Sequence, residues 1–147
     1  MTIYHVNIIS ASDTWDLRHR VLRPNSPVES VRYPEDDSLE SIHLGAILQG
    51  KIVAVASIYR QPEEGSSSVT AWRLRGMATD PLKRGQGLGG TVLKAAIGEA
   101  RNREGSYLWC NARISVSGFY EKYGFNIRGP EFEMPDIGPH YFMILPF

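Results

Sequence analysis

Four glycines crowd one short segment of the chain and separate two stretches of different periodicity. Six consecutive positions hold Gly85, Gly87, Gly89 and Gly90. Before them, residues 71–79 alternate apolar and cationic side chains, which is typical of a strand. After them, apolar residues recur with the helical period, which predicts one buried face of an amphipathic helix. The succession of a strand, a glycine-rich turn and a helix limits which folds this chain can adopt and which ligands it can bind.

The turn has the properties of an anion-binding site. Glycines adopt positive φ angles and let a ligand approach the backbone closely. The first N–H groups of a helix lack a partner within it, and the positive end of the helix dipole attracts negative charge. Lys83 and Arg84 add positive charge beside them. We therefore predict a phosphate or pyrophosphate ligand; the alternative is a turn whose glycines serve only close packing.

Common nucleotide-binding motifs fit this turn poorly. Residues 85–90 match G-x-G-x-x-G formally, but too few residues follow for the usual dinucleotide-binding sheet. The next strand, YLWCNAR, also ends without the acidic residue of such a domain. No H-R-D or D-F-G sequence of a kinase follows, and no G-K-[ST] closes the turn as in a Walker A loop. A dinucleotide-binding module is therefore the weaker alternative.

The rest of the chain predicts one domain over residues 1–147, of the α/β or α+β class. A polar segment with two prolines, residues 25–40, is expected to be a loop with one short helical turn. Strands are expected at 3–8, 43–48, 51–59, 71–79, 107–111 and 141–147, and helices at 13–22, from about 87 onward and at 116–123.

Composition argues against several classes of protein. The 16 basic side chains balance the 16 acidic ones, so we expect no nucleic-acid partner. No apolar stretch reaches the roughly 20 residues of a membrane helix, and we expect no membrane association. Without a secretory signal, and with Cys110 as its one cysteine, the chain is expected in the cytoplasm. Cys110 lies in an apolar strand and is expected to be buried, and no cluster of ligand side chains suggests a metal.

Two motifs resemble the GNAT (GCN5-related N-acetyltransferase) superfamily. Residues 84–89 are similar to its Q/R-x-x-G-x-G/A signature, and residues 77–85 resemble the approach to that signature. Residues 119–125, FYEKYGF, are similar to the family's F-Y-E-K-x-G-F segment. The segments 17–24 and 43–45 resemble a little-characterised bacterial subgroup of the family.

The resemblance implies a fold and an activity. The fold would have a central mixed, mostly antiparallel sheet of six to seven strands flanked by helices, splayed between the strands at 71–79 and 107–111. The activity would be transfer of an acetyl group from acetyl-coenzyme A to a primary amine, by direct attack in a ternary complex. The acceptor would be a small-molecule or peptide amine, and family members often form homodimers. A non-catalytic sensor of acyl-coenzyme A is the alternative.

The resemblance also assigns roles to individual residues. Tyr120 matches the family's tyrosine acid, and a phenol with a pKa near 10 can protonate a leaving thiolate; otherwise Tyr120 is a packed core aromatic. A backbone N–H near Met77 or Ala78 would polarise the acetyl carbonyl. Asn111 would bond the pantetheine arm. The remaining expected cofactor-binding residues are Met77, Ala78 and Thr79 along the arm and Arg84, Gly85, Gln86, Gly87, Leu88, Gly89 and Gly90 at the pyrophosphate.

The general base is not evident from the sequence. Family members often carry a glutamate on the strand before the turn, but AWRLRGMAT, residues 71–79, contains no carboxylate. We therefore expect deprotonation through water, or capture of an amine that is already neutral. His43 and His140 are alternative bases, although a lone histidine is more often structural.

Two groups of charged residues have several open roles. Arg73 and Arg75 are expected at solvent, in an ion pair, or near an acidic acceptor or the 3′-phosphate of the cofactor. The loop that borders the acceptor site in the family would recruit a cationic amine or form a solvated acidic surface. Its acidic residues are Glu35, Asp36 and Asp37.

Overall fold

A computed structural model describes residues 4–147 of the chain, which form an α+β fold on an open mixed sheet. The strands are β1 (Tyr4–Ile9), β2 (Ile42–Leu48), β3 (Lys51–Arg60), β4 (Ala71–Thr79), β5 (Tyr107–Arg113), β6 (Asn126–Ile127), β7 (Phe132–Met134) and β8 (Gly138–Pro146). Their hydrogen-bonded order is β1-β2-β3-β4-β5-β8-β6, and β7 also pairs with β8. The predicted fold class is confirmed, with eight strands instead of the expected six to seven.

The helices differ in regularity. The helices are α1 (Trp15–Leu17), α2 (Leu88–Asn102) and α3 (Ser117–Lys122). The predicted helix at 13–22 is irregular, because a 3₁₀ turn (Ala11–Thr14) precedes α1 and a π-helical turn (Arg18–Leu22) follows it. In α2 the predicted apolar stripe is buried, as its period requires. Further 3₁₀ turns are Val28–Val31, Pro34–Asp37, Pro81–Lys83 and Ile114–Val116.

The contacts divide the chain into two compact units, of which the first contains residues up to Tyr59 and Leu74–Glu99. In this unit β1, β2 and β3 form an antiparallel meander. The turn between β2 and β3 has positive φ at both Gln49 and Gly50, as a tight two-residue hairpin needs. Within the core of the unit, Leu17 packs with Val55 and Ala78.

The second unit contains Arg60–Arg73 and Ala100–Phe147. In it the start of β4 pairs in parallel with the start of β5, over three residue pairs. Antiparallel pairing of β5 with β8 runs the whole length of β5, from Tyr107 opposite Pro146 to Arg113 opposite His140. The splay that the resemblance implies for β4 and β5 stays a prediction.

The described residues contain neither a membrane-spanning helix nor a cluster of metal-ligating side chains. Among the helices of residues 4–147, none is long and apolar enough to cross a membrane. Over the same part of the chain, His, Cys, Asp and Glu side chains form no group of three or more that could hold a metal ion.

Candidate functional site

The glycine turn follows β4 and leads into α2, in the first unit. Asp80 starts it: the Oδ1 atom accepts a hydrogen bond from the Leu82 N–H at 3.0 Å. Gly85 and Gly87 then have φ angles of +83° and +75°, in the left-handed region. A Cβ atom at either glycine would meet no other described atom within 4 Å. These two glycines therefore serve the backbone conformation and not close packing.

The first turn of α2 borders an exposed loop. Residues 84–87 are exposed, whereas Leu88 is buried. The Gly87 carbonyl accepts hydrogen bonds from the Thr91 N–H at 3.1 Å and from its Oγ1 at 2.9 Å. Since the initial N–H groups of a helix find no partner inside it, this end of α2 can hold an anion. Leu88 could contact such an anion only through its backbone.

The carboxyl end of β4 is not a regular strand. Gly76 has a φ of +66°, so the backbone is left-handed immediately before Met77. Ala78 packs its side chain in the core, and the side chains of Met77 and Thr79 are half-buried. Contacts of Ala78 with a ligand would therefore come from its backbone.

A buried polar network that sequence reasoning missed lies in the same unit. Arg18 is fully buried and donates to both carboxylate oxygens of Asp36, at 2.8 and 3.1 Å. The guanidinium also donates to Ser57 Oγ at 2.9 Å and to the Tyr59 hydroxyl at 3.0 Å. A fifth hydrogen bond goes to the Val31 carbonyl at 2.8 Å. The bidentate pairing of Arg18 with the Asp36 carboxylate is among the stronger hydrogen-bonded interactions that arginine makes.

His43 belongs to this network. Its Nδ1 lies 2.7 Å from Ser57 Oγ, and its Nε2 lies 3.8 Å from Asp36 Oδ1. The Nε2 atom is buried without a hydrogen-bond partner among the described residues. His43 is 5% exposed and its Nδ1 already faces Ser57, so it is a structural member of the network. His140, the other alternative base, is also buried, with its Nδ1 2.8 Å from the Gly138 carbonyl.

The three acidic residues of the loop at 35–37 have different surroundings. Asp36 accepts hydrogen bonds from Arg18 and, at 2.5 Å, from the Tyr59 hydroxyl, so it forms neither a solvated surface nor a free acceptor site. Glu35 is half-buried, and its Oε2 lies 3.7 Å from Arg75 Nη1. Asp37 is exposed. The ion pair expected for Arg75 is therefore present.

Aromatic rings cover both arginines of β4. The Arg75 guanidinium lies 3.8 Å from the centroid of the Tyr33 ring, and Arg18 lies 4.1 Å from the same centroid. In the second unit, Arg73 lies 4.7 Å from a Trp109 ring centroid. Stacking of this kind stabilises a guanidinium that has lost part of its water.

The network sets the charges of its members. Burial alone would raise the pKa of Asp36, but hydrogen bonds from Arg18 and Tyr59 outweigh it and hold that pKa below its ordinary value. Burial lowers the pKa of His43, and the positive Arg18 lowers it further against the opposing effect of Asp36. Asp36 is thus ionised and His43 neutral near pH 7.

We expect acid to destabilise the fold through His43. The unfolded chain, with a histidine pKa of about 6.5, takes up a proton before the folded chain does. The free energy of unfolding therefore stays high above about pH 6.5 and falls as the pH drops toward the folded pKa. Thermal unfolding at about pH 7.5 and about pH 5.5 measures this loss. His43→Gln should lose less, and an equal loss in both proteins would contradict the assignment.

The second unit holds the remaining expected site residues. Tyr120, in α3, is 8% exposed, and its ring centroid lies 5.2 Å from that of Phe119 and 5.5 Å from that of Phe125. Burial raises the pKa of Tyr120, so the phenol is protonated near neutral pH. Asn111 is half-buried on β5. Cys110 is buried as expected, and burial raises the pKa of its thiol to about 12.

Known proteins resemble this chain over nearly all of its length. Residues 29–140 match the family model described as the acetyltransferase (GNAT) domain. The uncharacterized N-acetyltransferase YitI of Bacillus subtilis (strain 168) is 39% identical over 138 residues, which cover 94% of this chain and 93% of that protein.

Two solved structures share the fold. ElaA from Escherichia coli superposes with a TM-score of 0.78 at 17% identity, over 99% of each chain. An aminoglycoside 6′-N-acetyltransferase complexed with coenzyme A superposes with a TM-score of 0.77 at 15% identity, over 97% of this chain and 96% of that one. At such identities these likenesses concern the fold alone.

Proposed function

Because the chain belongs to the GNAT acetyltransferase family, we propose that it is a single catalytic domain that transfers an acetyl group from acetyl-coenzyme A to a primary amine. The observation that carries the proposal is the left-handed turn at Gly85 and Gly87, which precedes the N-terminus of α2 beside an exposed Arg84. A pyrophosphate is the part of coenzyme A that such a turn suits.

The cofactor would bind mainly to backbone. The N–H groups of residues 84–90 would bind the pyrophosphate, and Met77, Ala78 and Thr79 would pair with the pantetheine arm as an added strand does. The buried side chains of Ala78 and Leu88 support this assignment, since only their backbone is free to contribute. Asn111 would bond the same arm.

The reaction would be one direct transfer without an acyl-enzyme. The amine nitrogen attacks the thioester carbonyl carbon, and the N–H of Met77 or Ala78 stabilises the oxyanion that forms. The carbon–sulfur bond then breaks, and the leaving thiolate takes the phenol proton of Tyr120. The amine reaches the carbonyl neutral, either because it enters so or after losing a proton to water, since β4 has no carboxylate and the Nδ1 atoms of His43 and His140 already face Ser57 Oγ and the Gly138 carbonyl. After the attack the nitrogen releases one further proton to water, and the Tyr120 phenolate regains a proton from water.

One observation favours a second function, a non-catalytic sensor of acyl-coenzyme A. Family members often carry a glutamate on the strand before the turn, whereas β4 contains no carboxylate. A sensor would bind the same cofactor at the same glycine turn but would catalyse no acetyl transfer. The alternative of a dinucleotide-binding module rested only on the formal G-x-G-x-x-G match. Membership of the GNAT family already explains these glycines.

Calorimetry with acetyl-coenzyme A, with NADH and ATP as controls, tests the proposal. We expect binding of acetyl-coenzyme A alone, followed by thiol release with at least one member of a panel of small-molecule and peptide amines. Binding without release from any amine would favour the sensor. A folded protein that does not bind acetyl-coenzyme A would overturn both functions.

A further inference from the structure

The buried network meets β4 at its left-handed glycine. A Cβ atom on Gly76 would lie 2.8 Å from Arg18 Nε and 3.4 Å from a ring carbon of Tyr33. Arg18 and Tyr33 therefore pack directly on the backbone of β4 at this residue, and a methyl group there would displace the Arg18 side chain. The contact is one residue before Met77.

Several separate elements hold the guanidinium at this place. Its five hydrogen bonds reach the 3₁₀ turn ending at Val31, the turn containing Asp36, and Ser57 and Tyr59 of β3. A shift of Arg18 would break buried hydrogen bonds, and leaving buried groups unpaired is more costly than the bonds themselves are favourable. Hydrogen bonds to several elements therefore hold the part of Arg18 that contacts Gly76 in place.

Stability alone is a weak reason for such a network. A buried ion pair can often be replaced by well-packed apolar side chains without loss of stability, whereas in some proteins buried polar groups select one conformation. Here the network contacts Gly76, a residue with a left-handed backbone within β4. The backbone angles of Gly76 set the direction of the peptide groups that follow it.

We propose that Arg18 is a positioning residue, which holds Gly76 left-handed and thereby fixes the direction of the Met77 and Ala78 N–H groups. The inference rests on the proposed function, in which these N–H groups polarise the thioester carbonyl. Donors of this kind stabilise a transition state only when they are held firmly in the productive geometry. Loosening them lowers kcat and has little effect on an anion bound elsewhere.

Arg18→Lys tests the proposal, because lysine retains the charge and loses the planar fork. We expect kcat to fall about five-fold and the affinity for acetyl-coenzyme A to fall by a smaller factor, since the pyrophosphate contacts at 84–90 are untouched and only the contacts of the pantetheine arm at Met77 and Ala78 are loosened. Arg20→Lys is the matched control. Arg20 is exposed in the same helical segment and pairs with Asp16 at 3.0 Å, and this variant should leave both constants unchanged.

A second variant and a double variant separate positioning from stability. Tyr59→Phe keeps the ring and removes the hydroxyl that contacts both Arg18 and Asp36, so it decides the question if Arg18→Lys does not fold. Combined with Gly76→Ala, Arg18→Lys should add little to the loss in kcat, because both act on the same peptide groups. Folded variants with a lower Tm and an unchanged kcat would overturn the proposal.

Amide hydrogen exchange gives a readout that needs no turnover. In Arg18→Lys or Tyr59→Phe, exchange at the Met77 and Ala78 amides should be about ten-fold faster than in Arg20→Lys, under conditions where global unfolding does not contribute. Unchanged exchange at both amides would refute the positioning role. If the unmodified protein binds acetyl-coenzyme A but acetylates no amine, the proposed function fails while this measurement still decides the inference.

Discussion

Gly87→Val is expected to weaken acetyl-coenzyme A binding by about a hundred-fold or more, which amounts to abolishing it at ordinary concentrations. Gly87 has a φ of +75°, a region that β-branched residues rarely enter. Valine would pull this peptide out of the left-handed region and turn away the N–H groups that begin α2. Those groups are the proposed pyrophosphate contacts, so the loss falls on affinity.

Gly98→Val is the matched control for this prediction. Gly98 lies in the same helix, has no positive φ, and a Cβ there would meet no other described atom within 4 Å. The Gly98→Val protein should bind acetyl-coenzyme A as the unmodified protein does. Calorimetry measures both variants after circular dichroism has shown that they fold. Normal affinity of a folded Gly87→Val protein would refute the pyrophosphate assignment.

Tyr120→Phe is expected to lower turnover by about ten-fold or more and to leave the affinity for acetyl-coenzyme A nearly unchanged. The substitution removes one hydroxyl and keeps the ring that packs against Phe119 and Phe125. Burial raises the pKa of Tyr120, which keeps the phenol protonated throughout the neutral range but also makes it a weaker acid than a free phenol. Without the hydroxyl, the thiolate leaves without this proton and departs more slowly.

Tyr123→Phe provides the comparison. Its ring lies 5.3 Å from Phe119, in the packing that their spacing of four residues predicts, and the residue has no proposed role in the chemistry. Thiol release at saturating acetyl-coenzyme A should be normal in Tyr123→Phe and reduced in Tyr120→Phe. Equal turnover in both would make Tyr120 a packing residue.

The elements with a strong period were predictable from the sequence. The alternation at 71–79 and the apolar stripe after the turn correspond to β4 and α2 nearly residue for residue. In contrast, β6 and β7 have two and three residues, too short for a period of two to be visible. They are strands because β8 pairs with them, which is a property of the tertiary structure.

The buried network could not be found by the same reasoning. Arg18 stands among charged and polar neighbours, so its surroundings in sequence suggest a solvated side chain, and its bond to Tyr59 spans 41 positions. One signal was present: Ser57 is polar within the apolar run of β3. A hydroxyl at the centre of a buried strand requires a partner, and here it bonds both Arg18 and His43.

The pairing of Arg18 with Asp36 also constrains how this chain can diverge. Removing one partner leaves a charge buried, at a cost of about 3–5 kcal/mol, whereas replacing both with apolar residues can be nearly neutral. A single substitution that removes either Arg18 or Asp36 is therefore expected to destabilise the fold and to be selected against. Descendants of the chain are expected to retain both residues or to lose them together, so the two positions should be inherited as a unit although 18 positions separate them.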